Sequence, residues 1–197
     1  MKSSNMAGPG SKITARENAR NHWKDFMNHS EEKRSICENV LHFLSGFNPD
    51  TRIFAYIGLP DEIDLIPILQ KHSFQVFIPL FNSTGNMDFV LFMDKGEKKI
   101  ALQKGPFGIQ MPEKGSTILE DPPGRNDIVF IPSLGSNSGG YRLGRGGGYY
   151  DRWKDRMNLS YRIGILPSVL TGLNFPGENH DIIFHRVITE RGIVDYI

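Results

Sequence analysis

Apolar positions along the chain follow two periods, and the places where one gives way to the other divide it into elements. Residues 12–27 read as a first helix, with Lys12, Arg16 and Arg20 four apart along one face. Ser30 is a good N-cap for a second helix, Glu31 and Glu32 suit its positive end, and Ile36, Val40 and Phe43 form its buried stripe. The run Arg-Ile-Phe-Ala-Tyr-Ile over residues 52–57 reads as a strand that ends at Gly58-Leu59-Pro60. A short helix over 63–71 and a strand over 75–78 complete a βαβ unit, and 87–93 reads as a further strand after a turn at 82–86.

Beyond a Gly- and Pro-rich stretch at 105–124, a fully apolar run at 128–131 reads as a buried strand, and two more strands fall at 162–166 and 186–189. Strands alternating with helices predict an α/β fold, a mostly parallel sheet covered on both faces. Ligands gather at the carboxyl ends of such strands. Residues 58–64, 133–151 and the loops after Leu166 fall at those ends. No repeat and no linker divides the chain; 1–10 reads as a flexible tail and 11–197 as one domain.

Composition narrows the function classes. At 197 residues with 39% hydrophobic and 23% charged side chains, the chain is an ordinary soluble type, long enough for a real core. A formal charge of +1 gives no global pull toward nucleic acid or membrane, so any anion site must be local. The start of the chain lacks the apolar stretch of a signal peptide, and no run reaches the length of a membrane span. Cys37 is the lone cysteine, which fits a reducing compartment and a cytoplasmic protein; its spacing to Leu41 makes it a core thiol. Monomer is the expected state, because no apolar stripe is left over.

The densest chemical signal follows the 128–131 strand. Residues 140–153 read Gly-Tyr-Arg-Leu-Gly-Arg-Gly-Gly-Gly-Tyr-Tyr-Asp-Arg-Trp, and six of the ten residues 139–148 are glycine. A loop with so few side chains lets backbone N–H groups crowd an anion, and Arg142 and Arg145 add charge suited to a polyphosphate. Tyr149, Tyr150 and Asp151 then bring two rings and a carboxylate, and a helical pattern begins at Asp151. The dinucleotide pattern GxGxxG fails at its last position, Tyr149, and no Gly-Lys-Ser/Thr provides a P-loop. A glycine-rich turn at a sheet edge is a bland alternative. An RNA-binding Arg-Gly-Gly segment is another, although such segments repeat in polar sequence and this one is single.

The segment from Gly140 to Arg152 resembles the signature of the 5-formyltetrahydrofolate cyclo-ligases, also called methenyltetrahydrofolate synthetases. Matches in register support it: Lys12 with Arg16, Glu62-Ile63-Asp64 with Pro67, Phe107-Gly108-Ile109 with Pro112, and His180-Asp181 followed by Ile188-Thr189-Glu190. The resemblance implies a single-domain, three-layer, Rossmann-like sandwich. It also implies a reaction in which ATP phosphorylates the formyl oxygen of 5-formyltetrahydrofolate, N10 closes the ring, and 5,10-methenyltetrahydrofolate, ADP and phosphate leave. By the same resemblance, Lys12, Arg16, Arg142, Leu143, Gly144, Arg145, Gly146, Gly147, Gly148 and Tyr149 hold ATP. Glu62, Gly147, Gly148, Tyr149 and Tyr150 meet the reduced folate, Tyr150 and Arg145 act in catalysis, and Asp151 and Asp181 bind Mg²⁺. Asp151 as a plain helix N-cap, and Met87 and Phe89 as strand core, are the competing structural readings.

The chain departs from the family's pattern at three places. Ser-Leu-Gly-Ser-Asn-Ser at 133–138 replaces an expected Gly-Leu-Ala-Phe-Asp, Leu170 replaces a glutamine, and His185 replaces an aspartate. The alternative function these leave open is a relative that binds nucleotide or folate without closing this ring.

Overall fold

A computed structural model describes residues 10–82, 85–105, 108–113 and 115–197. Apart from Gly10, the expected N-terminal tail lies outside the described residues, as does Phe107.

The chain opens with α1 (Lys12–Phe26), capped by Ser11, whose hydroxyl accepts from Thr14 N at 3.2 Å. Ala15, Ala19, Trp23 and Phe26 bury one stripe of it, and the Trp23 indole N–H donates to Leu134 O at 3.2 Å. The row of cations lies beside that stripe, and of the three only Arg20 is exposed to solvent. In α2 (Ser30–Leu44) the cap position is His29, in extended backbone, and Ser30 is the first helical residue. Expectation and structure differ here by one residue, and Glu31 and Glu32 still supply first-turn charge.

β1 (Arg52–Phe54) is shorter than the expected strand, because the chain leaves the sheet after Ala55 and closes a turn in which Glu62 N donates to Leu59 O at 2.9 Å. Asp64 Oδ1 then accepts from Ile66 N at 3.1 Å, which delays α3 (Ile66–Leu69) and shortens it. β2 (Gln75–Phe81) runs parallel to β1, so the βαβ unit is as expected. β3 (Met87–Asp94) and β4 (Glu97–Lys98) continue as antiparallel neighbours. The Gly/Pro-rich stretch contributes to a small hairpin of β5 (Leu102–Lys104) and β6 (Gln110–Pro112). β7 (Ile128–Ile131) precedes a second small ribbon, β8 (Gly135–Ser136) with β9 (Arg142–Leu143). The helical segment begins as α4 (Tyr149–Arg152), and a 3₁₀ turn at Lys154–Met157 follows. β10 (Tyr161–Ile165), a 3₁₀ turn at Ser168–Leu170, β11 (Arg186–Thr189) and β12 (Gly192–Asp195) end the chain.

The main sheet has the order β12-β11-β10-β7-β1-β2-β3-β4. The five strands from β11 to β2 are parallel, and antiparallel strands close both edges. All four residues of β7, and Ile163 to Ile165 of β10, are buried, so both faces of the central strands are covered. This is the expected α/β fold. The order in which strands are added reverses between the parallel β1 and β7: β1 leads outward to β2 on one side, β7 to β10 on the other. The crevice beyond the carboxyl ends of such a pair is where an open α/β sheet binds ligands.

Candidate active site

Two adjoining cavities lie at that reversal. The first, about 420 Å³, takes Tyr56, Ile57 and Glu62 from beyond β1, Pro79 and Phe81 from β2, and Pro132 from beyond β7. Arg145, Gly147, Gly148, Tyr149 and Tyr150 of the glycine loop form its remaining wall, with Ile109 and Gln110 at its edge. The second, about 540 Å³, is lined by Lys12, Arg16, Gly144, Gly146, Asp151, Arg152, Asp155, His180 and Asp181. Arg142 and Gly148 border both and form the partition between them.

The glycine loop reaches this place because β9 is pinned before it and α4 after it. Arg142 N donates to Ile182 O at 2.8 Å, and Arg152 N closes the first turn of α4 on Gly148 O at 3.0 Å. Gly146 has φ 109°, in the left-handed region, and nothing lies within 4 Å of a Cβ built there. Conformation, not space, requires glycine at this position.

Each cavity carries charged groups in defined pairs. In the first, Arg145 Nε donates to Glu62 Oε1 at 2.8 Å and Nη1 to Asp61 Oδ2 at 3.0 Å. The other oxygen of Glu62 accepts from Leu59 N at 3.1 Å, so this buried carboxylate is fixed in orientation. Burial alone would lower the Arg145 pKa; Glu62 and Asp61 outweigh it, and the guanidinium stays charged. Burial pushes the Tyr150 phenol well above its ordinary value, with Arg142 opposing and Glu62 adding to the shift. Tyr56 is raised for the same first reason, reinforced by Glu62. Both phenols therefore keep their protons and face the first cavity as hydrogen-bond donors. Among the described residues, Arg145 Nη2, the Tyr150 hydroxyl and Trp153 Nε1 are buried without a hydrogen-bond partner, and the first two residues line this cavity. A donor left so is costly unless a ligand takes it up.

In the second cavity the acids are matched by cations. Lys12 Nζ lies 2.8 and 2.7 Å from the two oxygens of Asp181 and 3.1 Å from Glu178. Arg142 Nη1 lies 3.0 and 3.1 Å from the oxygens of Asp151, while Nε and Nη2 are tied to Pro132 O at 3.0 and 2.9 Å. The Arg142 guanidinium also sits 5.6 Å from the centre of the Tyr150 ring. Arg16 Nε donates to Gly144 O at 2.9 Å. No group of three or more His, Cys, Asp or Glu among the described residues could hold a metal by itself. Two carboxylates facing a polyphosphate-sized cavity match the way Mg²⁺ is held, by one or two acids plus phosphate and water.

All the site residues named from the sequence border these cavities except Leu143. Its side chain is buried, and its carbonyl accepts from Leu134 N at 2.8 Å and Ser133 Oγ at 3.0 Å, so it belongs to the wall behind the loop. Asp151 is not a helix cap: Gly148 takes the cap position and Asp151 lies inside α4. Met87 and Phe89 are buried core residues that border neither cavity. The sequence reading missed Tyr56, Asp61, Phe81, Arg152 and Asp155. For Tyr56 the signal was its place at the carboxyl end of a strand; the others follow from tertiary placement.

The three departures from the family pattern line neither cavity. Ser133 Oγ donates within the β8–β9 ribbon, Ser136 Oγ meets the Tyr196 hydroxyl at 2.9 Å, and Asn137 Oδ1 accepts from Gly139 N and Tyr141 N, both at 3.0 Å. A Cβ at Gly135 would come within 2.9 Å of Leu170 O and 2.5 Å of Leu173, so the departures at 135 and 170 pack on one another. His185 Nδ1 accepts from Arg162 N at 3.1 Å, at the opposite ends of β10 and β11 from the site. These positions are architectural.

An α/β fold with a paired cavity at its strand reversal, one side lined mainly by charged side chains and the other largely by rings and apolar groups, defines a protein with a small-molecule site at that reversal. The chain belongs to the 5-formyltetrahydrofolate cyclo-ligase family, an enzyme family whose model matches residues 13–190. It is 28% identical over 154 residues to the 5-formyltetrahydrofolate cyclo-ligase of Mus musculus, covering 71% of this chain and 73% of that one. The enzyme of the same name from Mycolicibacterium smegmatis is 28% identical over 179 residues, covering 83% and 91%. The 5,10-methenyltetrahydrofolate synthetase of Aquifex aeolicus superposes with a TM-score of 0.72 at 23% identity, over 94% of this chain and 92% of that one. That of Mycoplasma pneumoniae gives 0.67 at 20% identity, over 92% and 99%. No helix among the described residues is long and apolar enough to cross a membrane.

Proposed function

We propose that this enzyme converts 5-formyltetrahydrofolate to 5,10-methenyltetrahydrofolate with consumption of ATP and release of ADP and phosphate. The observation that carries the reading is the paired cavity, in which Glu62 with Tyr149 and Tyr150 shares a wall, Arg142 with Gly148, with a cation-rich cavity holding Asp151 and Asp181. The reduced pterin lies in the first cavity, where the fixed Glu62 carboxylate accepts from its N–H groups and Tyr149 and Phe81 offer ring faces. The triphosphate lies in the second, held by Lys12 and Arg16 and by backbone N–H groups of residues 144–148.

The formyl group then sits at the partition, where Arg145 and Tyr150 carry unpartnered buried donors. Phosphoryl transfer to a weakly nucleophilic oxygen needs positioning and charge neutralisation more than a protein nucleophile. Arg145 Nη2, the arm that Glu62 and Asp61 leave free, neutralises charge that builds on the former formyl oxygen as its bond to carbon breaks. Tyr150, held protonated by burial, donates to that oxygen and never accepts a proton from it. Asp151 and Asp181 would hold Mg²⁺, which supplies charge neutralisation on the phosphates when bound. N10 attacks the activated carbon and gives up its proton to solvent, and phosphate departs with the former formyl oxygen and the electron pair of the broken C–O bond.

The reading takes residues 11–197 as one catalytic domain acting as a monomer on small molecules in the cytoplasm, and the partly buried thiol of Cys37 fits a reducing compartment. A steady-state comparison of two variants tests the assignment of cavities. Glu62→Gln should raise KM for 5-formyltetrahydrofolate and leave that for ATP nearly unchanged, and Arg16→Gln should do the reverse. Equal effects of both variants on both constants would refute the division.

A further inference from the structure

The two carboxylates assigned to the divalent cation are not free. Asp181 is bracketed by the Lys12 ammonium at 2.7 and 2.8 Å, and Asp151 by Arg142 Nη1 at 3.0 and 3.1 Å. Both pairs are largely shielded: side-chain exposure is 15% and 7% for Lys12 and Asp181, and 7% and 21% for Arg142 and Asp151. We infer that Lys12 and Arg142 are resident counter-cations that keep these carboxylates from taking a divalent cation alone, so that the cation enters this site only together with nucleotide phosphate.

The inference rests on the nucleotide reading of the second cavity and goes beyond it, because it fixes which arrivals the cavity accepts. Four cations (Lys12, Arg16, Arg142, Arg152) face three carboxylates (Asp151, Asp155, Asp181) across its lining, and a fourth carboxylate, Glu178, lies 3.1 Å from Lys12. A dication alone would find both acids already paired and would have to displace a cation from each. A bare polyphosphate would bring its negative charge against those same acids. Together the dication offsets about half of the polyphosphate's charge, and each gives the resident ions new partners. The two residues are mechanically suited to the exchange. Lys12 ends a flexible arm at the first turn of α1, so its ammonium can swing from Asp181 to a phosphate oxygen without backbone movement. Arg142 is anchored by Nε and Nη2 on Pro132 O, so only Nη1 needs to change partner. Asp181 keeps a further hold when Lys12 leaves, since its Oδ2 accepts from Glu178 N at 2.8 Å. Removing one partner of a shielded ion pair leaves the other charge uncompensated. Loss of the Lys12 ammonium should therefore open Asp181 to a cation.

Mn²⁺, followed by loss of its free-ion EPR signal on full-length protein, reads this without turnover. The inference predicts at least tenfold tighter Mn²⁺ binding with a non-hydrolysable ATP analogue than without it. It also predicts that Lys12→Met raises nucleotide-free Mn²⁺ affinity several-fold, whereas Lys12→Arg leaves it low. A thermal melt checks that each variant is folded, and the wild-type and Lys12→Arg titrations stand if Lys12→Met is not. Mn²⁺ bound equally well with and without the analogue would overturn the inference while leaving the nucleotide reading intact. A folded Lys12→Met protein with unchanged nucleotide-free affinity would overturn the role of Lys12. Failure of the analogue itself to bind would refute the nucleotide reading and the inference together.

Discussion

Replacing Tyr150 with phenylalanine separates function from stability in this site. The hydroxyl is buried without a partner in the folded chain, while the ring is packed and lies against the Arg142 guanidinium. Tyr150→Phe keeps the ring and the cation–π contact and deletes only the unsatisfied group. An unsatisfied buried polar group costs about 1–3 kcal/mol, so the variant should be as stable as the wild type or more stable by about 1 kcal/mol. For a chain of this size, that is a rise in Tm of about 2–4 °C. If the hydroxyl donates to the reacting formyl oxygen in the transition state, its loss should cost about 1.4–2.8 kcal/mol there, a 10–100-fold fall in kcat/KM. Calorimetry and steady-state kinetics on one preparation give both numbers. A variant that melts several degrees lower and turns over normally would refute the reasoning, because the hydroxyl would then be structural.

Four further outcomes follow from the geometry. Asp151→Asn should keep the fold, since the amide oxygen can still accept from Arg142, yet abolish turnover; an active variant would sink the metal role. Gly146→Ala forces a non-glycine residue to φ 109° and should cost about 1–3 kcal/mol locally, seen as weakened binding of an ATP analogue with little change in folate binding. Gly135→Ala drives a methyl against Leu170 O and Leu173 and should lower stability by about 1–3 kcal/mol, measured by urea unfolding, without changing KM for either substrate. His185 is depressed from 6.5 to about 4, by burial first and then by Arg162 and Arg186. Its contribution is therefore complete above about pH 6.5 and lost as pH falls toward 4, and His185→Asn should flatten the stability–pH curve across that window.

Much of the parallel sheet was legible because its strands carry short apolar runs, unbroken at 128–131, and because loop signals separate them. The small ribbons and β12 were not legible. β8, with Gly135 and Ser136, carries no strand propensity and exists because β9 and the Leu173 loop pair with it. The glycine loop announced an anion site through composition, yet only the fold shows that Arg142 is mainly a partition tied to Pro132 and Asp151. Arg145 and Glu62 stand 83 positions apart, and no local pattern could have shown them as an ion pair. The basic row of α1 was ambiguous for the same reason: a solvated face and a cavity wall share one spacing.

The central claim is that the two cavities jointly close a folate ring at the expense of ATP. Its most direct test is the growth of methenyltetrahydrofolate absorbance when the purified protein meets 5-formyltetrahydrofolate, ATP and Mg²⁺, with ADP counted in the same reaction. The expected result is a signal that requires all three components and one ADP per methenyl product. Folded protein that binds both substrates and forms no product, or product formed without ATP, would contradict it.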